Sequence, residues 1–210
     1  MTFYIDSANI EDVSKAISFG WVKGVTTNPT LLARESLGVE QILNNIKQLS
    51  SGRIFYQLMA KSVDDMLHEA HAVREILGDQ LVVKILPTME GFRFCFTNSN
   101  DFDCCFTALF SVSQAAVARE ARARYIAIYY NRAQKNMGDG TGLIEAAAQV
   151  LKGTNTEIVA ASIKSAQEAS KVLLAGAHHI AAPLDVLTEM MDHDLSNEAI
   201  LDFYNNGVGL

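Results

Sequence analysis

Eight short apolar runs recur along the chain, separated by amphipathic helical stretches, and this alternation limits the fold more than any other feature. The runs are Phe3–Asp6, Gly24–Asn28, Ile54–Met59, Leu81–Leu86, Asp103–Leu109, Tyr125–Tyr130, Glu157–Ser162 and His179–Leu184. Between them, Ile10–Phe19, Val39–Leu49, Val63–Leu77, Ser113–Arg122, Leu143–Lys152 and Ala166–Ala175 mostly carry apolar residues at three- and four-residue spacing. Strand-like runs alternating with helices mean parallel βα units, and eight such units point to a closed α/β barrel, the single-domain (β/α)8 TIM barrel. At 210 residues, the chain is near the lower size limit of about 200 for this fold, so its loops must be short. The rival is an open doubly wound sheet, but no GxGxxG or GxxxxGK phosphate loop follows an early strand.

Two stretches depart from the pattern. Phe92–Asp103, FRFCFTNSNDFD, lies where the fourth helix should run, yet it is rich in aromatic, Asn and Asp residues that form helices poorly. Whether the fourth helix is regular there is left open by the sequence. Residues 196–207 read as an extra C-terminal helix stopped by NNGVGL. That helix has no barrel strand to cover and is available to pack on a neighbouring subunit.

Composition narrows the partners. With 49% hydrophobic residues and three prolines, one compact domain over residues 1–210 is expected. A net charge of -7 without a basic stripe argues against nucleic acid. Cys95, Cys104 and Cys105 form an odd set without CxxC spacing, which fits free thiols in a reducing compartment. The apolar runs are too short to span a membrane, and MTFYIDSANIED turns acidic where a signal peptide would be basic and then apolar. A cytoplasmic protein with no membrane association is expected.

The chemistry centres on Leu81–Pro87, LVVKILP, where Lys84 interrupts an otherwise buried strand. An ammonium buried without partners costs several kcal/mol, which a protein relieves by letting the amine lose its proton. A neutral amine is a nucleophile suited to Schiff-base chemistry with a carbonyl. The plainer alternatives are a lysine snorkelling from a strand end or one paired with a buried carboxylate.

In such a barrel, function collects at the C-terminal ends of the strands. The candidates there are Asp6, then Thr26, Thr27 and Asn28, then Gln57, Lys84, Thr107, Tyr129 with Asn131 and Arg132, and Ser162 with Lys164. Each has a plain structural alternative: Asp6 or Asn28 as a helix cap, Thr107 as a β-former, Tyr129 as a core ring. Seven strands converging on one mouth around a buried lysine point to an enzyme. His68 and His71 share a helix face but have no third ligand, so no metal site is expected.

The blocks YIDSAN, GVTTNPTLL, FYQLMA, VVKILPT, FTALFSVSQA, AIYYNR, VAASIKS and APLDV together resemble the small transaldolase-like family, on its fructose-6-phosphate aldolase side, over nearly the whole chain. The resemblance implies that Lys84 is the Schiff-base lysine and that no cofactor or metal is needed. It implies that Asp6, Gln57 and Thr107 hold a proton-shuttling water, and that Tyr129 is the acid/base at the bond being made or broken. It places Asn28, with Thr26, at the hydroxyls of the three-carbon donor, and Arg132, Ser162 and Lys164 at the phosphate of the aldehyde half. Transaldolases of the family generally carry Glu at position 57 and Phe at position 129, so Gln57 and Tyr129 point to aldolase. Ala127, where transaldolases tend to place a serine, removes a donor hydroxyl contact. Ile128 stands where the aldolases usually have proline.

The implied reaction is class I, reversible cleavage of fructose 6-phosphate to dihydroxyacetone and glyceraldehyde 3-phosphate. The alternatives are a transaldolase moving a dihydroxyacetone unit between sugar phosphates, and a catalytically silent barrel that binds a sugar phosphate. Implied partners are a sugar phosphate, dihydroxyacetone and further copies of the chain, in a homo-oligomer such as a pentamer or decamer.

Overall fold

A computed structural model describes residues 1–209. Its eight strands are β1 (Thr2–Asp6), β2 (Val22–Thr26), β3 (Ile54–Gln57), β4 (Leu81–Ile85), β5 (Cys104–Leu109), β6 (Tyr125–Tyr129), β7 (Glu157–Ala161) and β8 (His179–Ala182). All pair in parallel and in sequence order, and β1 meets β8 to close the barrel. The helices are α1 (Ile10–Ser18), α2 (Pro29–Leu32), α3 (Val39–Leu49), α4 (Val63–Leu77), α5 (Met89–Asn98), α6 (Val112–Glu120), α7 (Tyr130–Met137), α8 (Gly140–Leu151), α9 (Ala166–Leu174), α10 (Leu184–Glu189) and α11 (Asp194–Asn206). The (β/α)8 barrel read from the sequence is the fold, and α11 is its extra C-terminal helix.

Strand alternation divides the core in two. Inward-facing Tyr4, Phe55, Val82, Cys105, Tyr125, Ala127, Val159 and Ala181 form one buried cluster inside the barrel. Their neighbours, among them Ile5, Ile54, Val83, Phe106, Ile126 and Ile158, join a second cluster between sheet and helices. Phe55 sits between Tyr4 and Tyr125, with ring centroids 5.0 and 5.3 Å away. Gly24 makes room for this packing, because a Cβ there would strike the Arg53 carbonyl and press on the Tyr4 ring.

Several strands end earlier than their apolar runs, because a cap or a side chain takes over the backbone. Asn28 accepts from the Leu31 amide and starts α2, so β2 lies at Val22–Thr26 and not 24–28. The β3 run stops at Gln57 because the Glu69 carboxylate captures the Met59 and Ala60 amides. Pro183 ends β8 and caps α10.

The structure answers the question left open over Phe92–Asp103: α5 is a regular helix through Asn98, and residues 99–103 lie outside it. Thr88 caps it by accepting from the Gly91 amide, and Phe94 and Cys95 are fully buried on its inner face. Phe92 packs on Phe106 of β5, with centroids 4.4 Å apart. Burial of two aromatics at about 2 kcal/mol each outweighs propensity penalties of a few tenths per residue. Gly91 is required at this junction, since a Cβ would clash with the Leu86 carbonyl.

Candidate active site

A cavity of about 1050 Å³ opens at the C-terminal end of the barrel. Interior side chains shrink toward it: aromatic rings fill the lower half, whereas Ala127, Ala161 and Ala181 line the upper wall. Nine of the ten residues to which the resemblance gives a role line it, namely Asp6, Thr26, Asn28, Gln57, Lys84, Tyr129, Arg132, Ser162 and Lys164, whereas the further candidates Thr27 and Asn131 do not.

Lys84 lies on the wall of this cavity near the centre of the constellation and is 5% exposed. Its Nζ donates to the Thr27 carbonyl at 2.8 Å. Thr27 is fixed in turn, its hydroxyl donating to the Phe55 carbonyl at 2.9 Å. Among the described residues no carboxylate lies within ion-pair distance of the lysine. Neither plain alternative therefore describes Lys84, which is buried and not ion-paired. Gln57 stands directly across the β3–β4 pair from it. Cys105 stands across the β4–β5 pair and also lines the cavity. Burial pushes the Cys105 thiol up to about 12, against the lowering effect of nearby Lys84, so it stays protonated at neutral pH and does not compete as a nucleophile.

Thr107 is the exception. It is fully buried, off the cavity wall, and its hydroxyl donates to the Tyr129 hydroxyl at 2.9 Å. It can act only through the ring it holds. Tyr129 is further fixed by the Arg132 guanidinium over its face at 4.9 Å and by the edge of Phe110. Across the mouth, Thr26 donates to Asp6 at 2.8 Å. Asn28 combines its two readings: its Oδ1 caps α2 while the residue lines the cavity.

Three non-glycine positions carry backbone strain, Arg122 (φ 63°) ahead of β6 and two at the site. Ala108 (φ 58°) and Ser162 (φ 60°) occupy the left-handed region without being glycine, at a cost of roughly 1 kcal/mol or more each. Both line the cavity, and Ala108 shifts the β5–β6 register immediately after Thr107.

Two glutamates that stand out only in the structure tie the mouth together. Glu168 of α9 accepts from the Asn131 side chain (2.7 Å) and the Lys164 amide (2.8 Å), joining the ends of β6 and β7. Glu69 of α4 accepts from the Tyr56 hydroxyl (3.0 Å) and from the Met59 and Ala60 amides. Burial and the Glu69 carboxylate together push the Tyr56 hydroxyl up to about 12, so it remains a donor. Neither glutamate stands in a motif; each looks like one more charge on an amphipathic helix.

The fold and this lysine-centred mouth define a (β/α)8 barrel of the kind that places its chemistry at the strand C-termini. Residues 3–206 match the family model described as Transaldolase/Fructose-6-phosphate aldolase, and the chain belongs to that family. Among its relatives, a protein of Symbiobacterium thermophilum named probable transaldolase is 34% identical over 206 residues, covering 97% of this chain and 95% of that protein. A probable transaldolase of Lactiplantibacillus plantarum is 35% identical over 207 residues, covering 97% and 94%. One of Oceanobacillus iheyensis is 32% identical, covering 98% of each chain. Among solved structures, a mandelate oxidase variant shares the fold alone, with a TM-score of 0.62 at 16% identity over 89% of this chain, which spans 64% of that one.

Proposed function

We propose that the protein is a class I aldolase that cleaves fructose 6-phosphate reversibly to dihydroxyacetone and glyceraldehyde 3-phosphate. The observation that carries this reading is Lys84: a buried amine, not ion-paired, on the wall of a cavity that the hydroxyl-bearing ring of Tyr129 also lines.

The Lys84 amine adds to the ketone carbonyl and water leaves, giving an iminium. Tyr129 takes the proton of the C4 hydroxyl while passing its own to the water held by Asp6 and Gln57, the C3–C4 bond breaks, the aldehyde departs, and the bond's electron pair is held as an enamine. Protonation at C3 and addition of water then release dihydroxyacetone and restore the amine. Thr107 positions Tyr129, and Asp6 and Gln57 hold the water that carries the proton. Asn28 and Thr26 receive the donor hydroxyls, while Arg132, Ser162 and Lys164 receive the aldehyde's phosphate. Gln57, which cannot act as a base, and Tyr129, which supplies a proton, favour release over transfer.

Transaldolase is the second reading, favoured by the names of the relatives. One assay separates the two. Fructose 6-phosphate alone should yield free dihydroxyacetone under the aldolase reading. A seven-carbon sugar phosphate formed faster than dihydroxyacetone, once erythrose 4-phosphate is added, would establish the transaldolase. Dihydroxyacetone with borohydride should add mass to the peptide holding Lys84; an unmodified lysine there, with a sugar phosphate still bound, would leave the silent binder.

We further propose a homo-oligomer, a pentamer or decamer, assembled through α11. No residue of that helix is buried, and Leu195, Ile200, Leu201, Phe203 and Tyr204 are exposed. Light scattering on the full chain and on one ending before Asp194 tests this. Three buried, unpaired thiols support a cytoplasmic location.

A further inference from the structure

The cavity extends beyond the residues assigned above. On its far side it is lined by Arg34, just after α2, and by Lys61, in the loop between β3 and α4. In a ring of eight sequentially ordered strands, β2 lies opposite β6 and β3 opposite β7. Arg34 and Lys61 therefore face Arg132 and Lys164 across the mouth, with Lys84 on the wall between the two pairs.

Neither Arg34 nor Lys61 enters an ion pair among the described residues. The two acids of the lining are already engaged, Asp6 by Thr26 and Glu90 by Arg93 at 2.9 Å. In a protein of net charge -7, a cavity with four cationic side chains besides the reacting amine, Arg34, Lys61, Arg132 and Lys164, and two acids concentrates positive potential at one place.

The loop geometry makes the same point independently. Glu168 fixes the Lys164 backbone from behind, and Glu69 fixes Met59 and Ala60, immediately before Lys61, in the same manner. Both rims thus present a cation on a segment held by a helix carboxylate, so less ordering is needed when an anion arrives.

We infer that Arg34 and Lys61 form a second anion subsite, and that the cavity takes a sugar derivative with an anionic group at each end and the reacting carbonyl between them. The inference rests on the proposed function for the position of the carbonyl, and it extends the substrate class from mono- to bis-anionic sugars. The second group would lie on the side of Asn28, the donor side.

The test separates this from the Schiff-base reading by removing the amine. Full-length Lys84→Met protein, which forms no covalent adduct, is titrated calorimetrically with fructose 6-phosphate, fructose 1,6-bisphosphate and inorganic phosphate. The bisphosphate should bind roughly tenfold or more tighter than the monophosphate, as expected for an added charge-assisted contact. Adding Arg34→Gln and Lys61→Gln should abolish that gain and leave fructose 6-phosphate within about twofold. Both changes are on exposed side chains, so folding is not at risk. Adding Arg132→Gln instead should weaken the monophosphate and preserve the preference for two phosphates. Equal affinity for the two sugars, or a gain that persists without Arg34 and Lys61, overturns the subsite. Borohydride capture on the unmodified protein tests the amine separately, and either result can fail without the other.

Discussion

The lower and upper halves of the barrel interior are built from the same eight strands to opposite ends. Below, Tyr4, Phe55 and Tyr125 fill the bore, and charges there are mutually paired. Glu157 takes Arg124 and His179 at 3.0 Å each, and Arg53 pairs with Asp103 at 2.7 Å. Above, alanines leave a cavity, cations lack carboxylate partners, and two of the three non-glycine residues in left-handed backbone line that cavity. The lower half is arranged to be stable and the upper half to meet a ligand. Stability left unused above is what a site requires.

The largest separation of the two should come from Lys84→Met. Covalent capture and turnover should fall on the order of 10⁴-fold or more, while the denaturant midpoint holds or rises, since a buried amine is exchanged for an apolar chain of similar length. A matching loss of stability would mean that Lys84 belongs to the structural half. Phe55→Ala is the mirror experiment. Emptying the ring between Tyr4 and Tyr125 should cost about 3–5 kcal/mol in equilibrium unfolding, with Lys84 still trappable in whatever protein remains folded.

Tyr129→Phe should act within the upper half alone. Borohydride capture should persist while cleavage slows about 10²-fold and transfer to added erythrose 4-phosphate gains on release. Equal loss of capture and cleavage would place Tyr129 in carbonyl binding and not in proton transfer.

Acid should act on the lower half. Burial pulls the His179 imidazole below its ordinary range despite the bond to Glu157, and its Nδ1 is buried without a hydrogen-bond partner among the described residues. The unfolded chain therefore takes up a proton first, and stability should decline as pH falls through about 6.5, the ordinary histidine value. Burial raises the Glu157 carboxyl, but the His179 bond and the Arg124 guanidinium outweigh this and leave it lowered. Its contribution is complete above the ordinary carboxylate range and is lost as pH falls below that range. His179→Gln should flatten the first decline in a midpoint-against-pH series and shrink the second to the part that Arg124 supplies.

The same division explains what could be read in the sequence. Strand alternation and a lysine inside an apolar run are local, so the barrel and Lys84 were legible, as was the ring of polar strand ends. The resemblance put Thr107 among the water-holding groups; what no sequence pattern carries is that its hydroxyl is given to Tyr129 and that it does not line the cavity. The regularity of α5 was left open because its residues are poor helix formers alone and gain their energy from Phe106 and the outer core. Glu69 and Glu168 were invisible because their partners are backbone amides of loops, which carry no residue signature.

The smallest effect is also the most informative about the boundary between the halves. Ala108 holds φ 58° between Thr107, which grips Tyr129, and Leu109, which is buried in the outer core. Ala108→Gly removes no polar group and permits the same backbone. It relieves the left-handed strain but also loosens the unfolded chain, so the net gain should be at most about 1 kcal/mol. If the strain serves to set Thr107 against Tyr129, the variant should unfold at a slightly higher denaturant concentration and cleave somewhat more slowly, with Lys84 capture unchanged. Should stability rise with cleavage unaffected, the kink is only a way of fitting β5 to β6, and the strained backbone moves to the structural side of the comparison. Ser162→Gly gives a less clean answer, because it also deletes a hydroxyl from the proposed phosphate site.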